Sequence, residues 1–151
     1  MTDRTQHCYI SCRVGDLLVG IGIEHVQEIN RHVDATFVPR LEAEVKGLIN
    51  LRGNLVTVLD LVRILHGRDA VTASDTRNVI VQHEQERFGL LVDAVGDVAN
   101  CEGLELEPLP SHFDPAQAKW FAGLVQLDDQ ILLVLDVAAV VRARSAAEVH
   151  A

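Results

Sequence analysis

The sequence predicts an all-β protein built from two small β-barrels, each carrying a short helix. Two observations support this fold class: many short runs rich in Val, Ile and Leu are bounded by turn residues, and the chain contains an internal repeat. Short strands of this kind commonly form small barrels, because closure removes exposed sheet edges. We expect strands over 8–14, 17–23, 45–51, 55–59, 78–83, 87–93, 121–127 and 131–135.

The repeat relates the middle of the chain to its end. VKGLINLRGNLVTVLDLVRIL (45–65) and FAGLVQLDDQILLVLDVAAVV (121–141) share six residues at an offset of 76. GIGIEHVQEI (20–29) echoes GLLVDAVGDV (89–98) at an offset of 69, so the second half carries seven extra residues. The seven extra residues fit within the Pro-rich run 107–120. Two copies of one unit indicate a duplication, since a solenoid needs at least three repeats.

The duplication predicts how the domain is organised. We expect one domain over 1–151 with two similar subdomains, about 14–66 and about 78–135. The N-terminal strand and the C-terminal helix would pack on them. Asp60 and Asp136 each follow a strand and precede an apolar run, so both are predicted helix N-caps.

The stretch 45–61 predicts a hairpin with two different faces. Gly53 and Asn54 would form its turn, because both tolerate positive φ. Alternation along the strands then gives one face that mixes leucines, including Leu55, with polar groups, including Arg52. Such a face suits a docking partner. The other face is wholly apolar and is predicted to be core: Ile49, Leu51, Val56 and Val58.

Arg52 itself has two interpretations. It is either a solvated turn residue or a functional group that pairs with Glu28 and so presents its guanidinium to a partner. Glu28 lies in HVQEI (25–29), which also has two interpretations. It is either a short turn anchored in the core by Val26 and Ile29 with Glu28 in solvent, or the segment that brings Glu28 to Arg52. A surface pair of this kind is worth only ~0–1 kcal/mol, so its use would be orientation.

Composition and charge exclude several classes of function. A net charge of -9 and a pI near 5.1 make nucleic acid a poor partner. No apolar stretch reaches the roughly 20 residues that span a bilayer, and no signal segment starts the chain. Three cysteines without a signal segment indicate reduced thiols, so we expect a cytoplasmic protein that does not insert into membranes.

No residue pattern predicts catalysis, a metal or a cofactor. The seven histidines show no ligand spacing, and Cys8 and Cys12 fall on one face of a predicted strand, as core residues would. The chain has no phosphate-binding loop and no nucleophile elbow. We therefore expect no enzyme, no metal site and no cofactor.

Four stretches together resemble the CheW family of chemotaxis coupling proteins. They are GIGIEHVQEI, VKGLINLRGNLVTVLDL, FGLLVDAVGDV and GLVQLDDQILLVLDV, in this order over about residues 8–142. The resemblance implies two five-stranded, SH3-like β-barrels. It also implies a non-enzymatic adaptor that joins the cytoplasmic signalling tips of chemoreceptors to the regulatory domain of a CheA-type histidine kinase.

The resemblance also nominates partner-binding residues. In the family, the Val-Gln-Glu-Ile and G-x-x-N-L-R-G stretches are tied to receptor and kinase coupling, and their acid and Arg are thought to pair. The matching positions here are Val26, Glu28, Gly47, Asn50, Leu51, Arg52 and Gly53. A different class of function stays open: a thiol- or small-molecule-responsive sensor that uses the cleft between the barrels with Cys8, Cys12 or Cys101.

Overall fold

The computed structural model of the protein describes residues 8–31, 45–68 and 71–142. The strands of this part of the chain are β1 (Cys8–Val14), β2 (Leu17–Gly22), β3 (Val26–Arg31), β4 (Val45–Leu51), β5 (Asn54–Asp60), β6 (Arg77–His83), β7 (Glu86–Val92), β8 (Ala94–Asn100), β9 (Phe121–Gln126) and β10 (Ile131–Leu135). The helices are α1 (Leu61–His66), α2 (Pro115–Ala118) and a segment over 137–142, which we call α3; a 3-10 turn covers Ile23–His25.

The strands form two five-stranded sheets with the same layout. Sheet I has the order β8-β1-β2-β10-β9, and sheet II has the order β3-β6-β7-β5-β4. Replacing each strand by its counterpart in the sequence repeat converts one order into the other. The predicted all-β fold with two five-stranded units is confirmed.

The two sheets do not follow the predicted subdomain boundaries, 14–66 and 78–135. Parallel pairing joins β2 to β10, with Leu133 opposite Val19, and joins β5 to β7, with Val58 opposite Gly89. Each sheet therefore takes three strands from one half of the chain and two from the other. A sequence repeat reveals that two units are similar, but it does not reveal that the halves have exchanged strands.

The repeat is preserved in the hairpins at the level of single residues. Gly47 pairs with Val58 and Gly123 pairs with Val134, and a β-bulge follows each pair at the same place. The two glycines have φ of 152° and 159°, a conformation that L side chains rarely adopt. The bulge therefore requires glycine at both positions, which explains why the residue is repeated.

The predicted helix caps are also confirmed. The Asp60 carboxylate accepts a hydrogen bond from the backbone N–H of Arg63 at 3.0 Å, and Asp136 accepts one from Ala139 at 3.0 Å. These acceptors satisfy first-turn N–H groups that have no partner within the helix.

Three apolar clusters hold the sheets. The largest contains residues from both sheets and from α1 and α3, such as Ile21, Leu90 and Val141. Each sheet also packs its other face on a small cluster of its own. In sheet II this cluster comprises Ile49, Val56, Val58, Ile80 and Leu91, with Leu51 packed against it, so the predicted apolar face of the hairpin is confirmed.

Candidate partner-docking surface

The tip of the β4–β5 hairpin carries Arg52 in the turn itself. Leu51 pairs with Asn54, so the two turn residues are Arg52 and Gly53, and the predicted turn at Gly53–Asn54 is wrong by one residue. A one-residue shift of the turn moves each cross-strand partner by two residues, which leaves the face of every side chain unchanged. This is why the predicted core face is correct although the predicted pairing is not.

Both turn residues have left-handed backbone conformations. The φ angles are 51° for Arg52 and 85° for Gly53, as a two-residue turn matched to strand twist requires. The Asn50 side-chain oxygen accepts a hydrogen bond from the Gly53 N–H at 2.9 Å and steadies the turn. Arginine at such a position costs on the order of 1 kcal/mol relative to residues that tolerate it, so turn chemistry alone does not explain Arg52.

Glu28 reaches the hairpin tip from strand β3, which the sequence prediction described as a short turn. Within β3 a bulge lies between Val26, which pairs with Val81, and Glu28, which pairs with Ile80. Val26 packs on the largest cluster, as predicted, but Ile29 is 38% exposed and is not a core anchor. The sequence did not reveal this strand, because only every second residue of β3 is half-buried. Two apolar residues separated by polar ones can equally belong to a short turn.

The predicted ion pair between Glu28 and Arg52 is confirmed. A guanidinium nitrogen of Arg52 donates a hydrogen bond to Glu28 Oε1. The Arg52 side chain is 69% exposed and that of Glu28 is 26% exposed, so the acid is the fixed member and the guanidinium still faces solvent. The pair therefore orients a charge at the surface and contributes little to stability.

Neighbouring side chains extend this pair into a continuous surface. Gln27, Asn54 and Arg87 line a concavity together with Glu28 and Arg52. Asn54 and Arg87 also border the adjacent groove that contains Leu55, an aliphatic side chain 69% exposed at the hairpin tip. We call these residues the Arg52 surface: Gln27, Glu28, Arg52, Asn54, Leu55 and Arg87.

Three of the remaining nominated residues lie beneath this surface and support it. Gly47 forms the bulge, Leu51 packs on the small cluster of sheet II, and Val26 packs on the largest cluster. The other two nominated residues, Asn50 and Gly53, are exposed beside Arg52 at the tip. Sequence reasoning placed Leu55 on the mixed face, but it missed Arg87, because β7 lies beside β5 only in the folded sheet.

Cys12 and Cys101 are buried and lack the properties of reactive thiols. Burial raises the pKa of Cys12 to about 12, and burial followed by the proximity of Cys8 raises the pKa of Cys101. Cys8 lies opposite Asn100, the last residue of β8, and Cys101 follows directly after that strand. Reactive cysteines are instead accessible and have lowered pKa values, so the geometry does not favour a thiol sensor.

The described residues contain neither a metal-ion cluster nor a membrane-spanning helix. Residues 8–31, 45–68 and 71–142 contain no group of three or more His, Cys, Asp or Glu side chains placed to hold a metal ion. Over the same residues, no helix has the length and apolar character needed to cross a membrane.

Comparison with known proteins identifies the family. The sequence model of the protein family described as the CheW-like domain matches residues 9–145. The chain belongs to the CheW-like family. This confirms the resemblance seen in the four sequence stretches.

Relatives agree with this assignment over most of the chain. The chemotaxis protein CheW of Klebsiella aerogenes is 30% identical over 125 residues, which are 82% of this chain and 75% of that protein. CheW of Rhizobium meliloti is 30% identical over 129 residues, 85% of this chain and 83% of that protein. Protein FrzA of Myxococcus xanthus is 30% identical over 123 residues, 82% of this chain and 76% of that protein.

A solved structure confirms the fold. The crystal structure of the scaffolding protein TtCheW from Thermoanaerobacter tengcongensis superposes with a TM-score of 0.78 at 26% identity. The match covers 87% of this chain and 85% of TtCheW. Family and fold together indicate a scaffold protein of chemotaxis.

Proposed function

We propose that this protein is a non-enzymatic cytoplasmic adaptor. It couples the signalling tips of chemoreceptors to the regulatory domain of a CheA-type histidine kinase, and the Arg52 surface makes one of its contacts. The nominated partner-binding residues divide into two roles: Glu28 and Arg52 contact the partner, while Val26, Gly47, Asn50, Leu51 and Gly53 hold the shape of the tip.

The observation that carries this proposal is the arrangement of Arg52. Its side chain is exposed, its backbone has an unfavourable left-handed conformation, and its guanidinium is oriented by Glu28. Residues that maintain strain at the surface usually do so for function. A preoriented guanidinium beside an exposed leucine provides the directional and apolar contacts that protein interfaces use most.

Charge exchange at the pair tests the proposal. We expect Arg52→Glu to leave the protein folded but to abolish formation of the ternary complex with receptor tips and kinase. The new acid would repel Glu28 and would present a carboxylate where the partner meets a donor. Complex formation is measured by co-sedimentation, and coupling by stimulation of kinase autophosphorylation.

The reciprocal variants separate docking from structure. Glu28→Arg alone should also weaken binding, and the double exchange should restore the pair but recover binding only in part. Full recovery would show that the pair is purely structural. Unchanged binding in both single variants would refute the assignment of the Arg52 surface.

A further inference from the structure

The half-buried Asn30 of strand β3 and the buried Asn78 of strand β6 occupy opposite positions on neighbouring strands. Asn30 and Asn78 are direct cross-strand partners, and Asn78 is 1% exposed. Asn30 Nδ2 and Asn78 Oδ1 are both buried, and neither has a hydrogen-bond partner within the described part of the chain. One atom is a donor and the other an acceptor, so their requirements are complementary.

The surroundings of Asn78 are apolar. The Asn78 carboxamide lies against Gly89, where a Cβ would be 2.3 Å from Asn78 Oδ1. Ile80 and Leu91, the next residues on the same face of their strands, belong to the small cluster of sheet II. A buried amide without a partner is unfavourable, so stability alone would select an aliphatic side chain at this position.

Sheet I shows how the same place is filled without asparagine. The repeat places Tyr9 and Ala99 where Asn78 and Asn30 stand, and these two residues are also cross-strand partners. Tyr9 lies over Gly20, the counterpart of Gly89, at 3.2 Å from a Cβ built there. The fold therefore does not require a pair of carboxamides here, and the asparagine pair is specific to sheet II.

The Asn30–Asn78 pair bears on the register of strand β3 against β6. Strand β3 is an edge strand of sheet II and carries Glu28 two residues before Asn30, on the same face. Its side chains alternate between half-buried and exposed, a pattern that specifies register weakly. A slip of two residues keeps that alternation but puts Asn30 opposite Ile80 and carries Glu28 about 7 Å along the sheet, away from Arg52.

We propose that Asn30 and Asn78, bridged by one bound water molecule, hold β3 in the register in which Glu28 reaches Arg52. In this register the water accepts from Asn30 and donates to Asn78, as ordered waters do for otherwise unsatisfied buried groups. In the slipped register the Asn30 amide is buried against Ile80 and the bridge is lost. Both asparagines are positioning residues that act through Glu28.

The test measures register directly, by nuclear magnetic resonance of the full chain. The wild-type protein should give one set of cross-strand contacts that join Ile29 to Val79. In Asn30→Leu/Asn78→Leu we expect a melting temperature that is unchanged or raised, together with a second set of contacts from Ile29 to Val81. Amide-exchange protection of 26–31 should fall at least about tenfold, while that of 54–60 stays unchanged.

Controls separate polarity from packing. Tyr9→Leu alters the equivalent place in sheet I and should leave the exchange of β3 unchanged. Asn78→Ser keeps an acceptor and space for water, so it should keep one register. Asn30→Val, which removes the Asn30 carboxamide and leaves Asn78 in place, provides the test if the double variant fails to fold.

Three outcomes would overturn the proposal. The first is a single register with unchanged exchange in the aliphatic variants, and the second is an equal loss of register in Asn78→Ser. The third is the absence of a long-lived water contact to the Asn30 side-chain amide in the wild-type protein. No partner enters these measurements, so their failure is distinguishable from failure of the docking proposal.

Discussion

Arg52 shows, at the scale of a single residue, how local propensity and surface chemistry conflict. A turn position with φ of 51° favours Gly or Asn, whereas the docking role proposed for Arg52 favours a directional cation. The chain keeps the cation and accepts the backbone cost. Stability and binding should therefore respond in opposite directions when Arg52 is replaced.

We expect Arg52→Asn to keep or raise the stability of the protein while it abolishes partner binding. Asn adopts the left-handed backbone conformation at lower cost than Arg, and this gain offsets the lost ion pair. The free energy of unfolding should therefore change by between zero and about +1 kcal/mol. Urea unfolding measures the first effect and co-sedimentation with kinase and receptor tips the second. A loss of stability above about 1 kcal/mol would mean that Arg52 supports the fold.

Burial of Cys12 predicts that the stability of the protein falls as the pH rises above about 9. The pKa of Cys12 is about 12 in the folded protein against 9.0 for an unperturbed thiol, because burial disfavours the thiolate. Its contribution to stability is complete below pH 9 and is lost as the pH rises towards 12, since only the unfolded chain then ionises. The loss should approach about 1.4 kcal/mol per pH unit.

The measurement is urea unfolding of the reduced protein between pH 8 and pH 10.5, with Cys12→Ala as the matched control. The wild-type protein should lose more stability than the control over this range. Equal slopes for the two proteins would show that burial does not suppress ionisation of Cys12.

At the scale of elements, the sequence predicted what is local and periodic. The β4–β5 hairpin shows this: its apolar face was correct because alternation survives a two-residue shift of pairing. The turn was misplaced because Gly53–Asn54 matches turn statistics better than Arg52–Gly53 does. Strands β3 and β8 were missed, because VQEINR and AVGDVAN alternate with polar or small residues and lack an aliphatic run.

The candidate site was predictable to the extent that it depends on one hairpin and one ion pair. Glu28 and Arg52 were paired correctly from sequence. Arg87 and Gln27 join them only because β7 lies beside β5 and β3 lies beside β6, and such neighbours are set by tertiary pairing. No local pattern contains that information.

The matched hairpins predict matched losses of stability. Val58 and Val134 occupy equivalent positions beside the bulge glycines and are 2% and 6% exposed. Val58→Ala and Val134→Ala should each lower the free energy of unfolding by about 1–3 kcal/mol, because each leaves unfilled space in a small cluster. Val71→Ala, at a residue 74% exposed, is the control and should be neutral; neutrality of both buried variants would reverse the face assignment.

At the scale of the whole molecule, the two halves are interlocked. Sheet I consists of β1 and β2 from the first half with β8, β9 and β10 from the second, and sheet II has the complementary composition. Neither half can complete a sheet of this order alone. The largest cluster also draws residues from both halves, so separating them exposes most of the core.

This topology predicts the behaviour of a chain cut once between Ala73 and Ser74, in the segment between α1 and β6, whose described residues 67–68 and 71–76 form no strand or helix. Fragments 1–73 and 74–151 should each fail to fold as a monomer, because each lacks two or three strands of both sheets. Mixed or co-expressed, they should associate one to one and recover the β-sheet signal of the intact protein, since all strand pairings are then restored. Circular dichroism and size-exclusion chromatography measure both results. A monomeric 1–73 fragment that unfolds cooperatively would contradict the interlocked sheets and would restore the simpler division into consecutive subdomains.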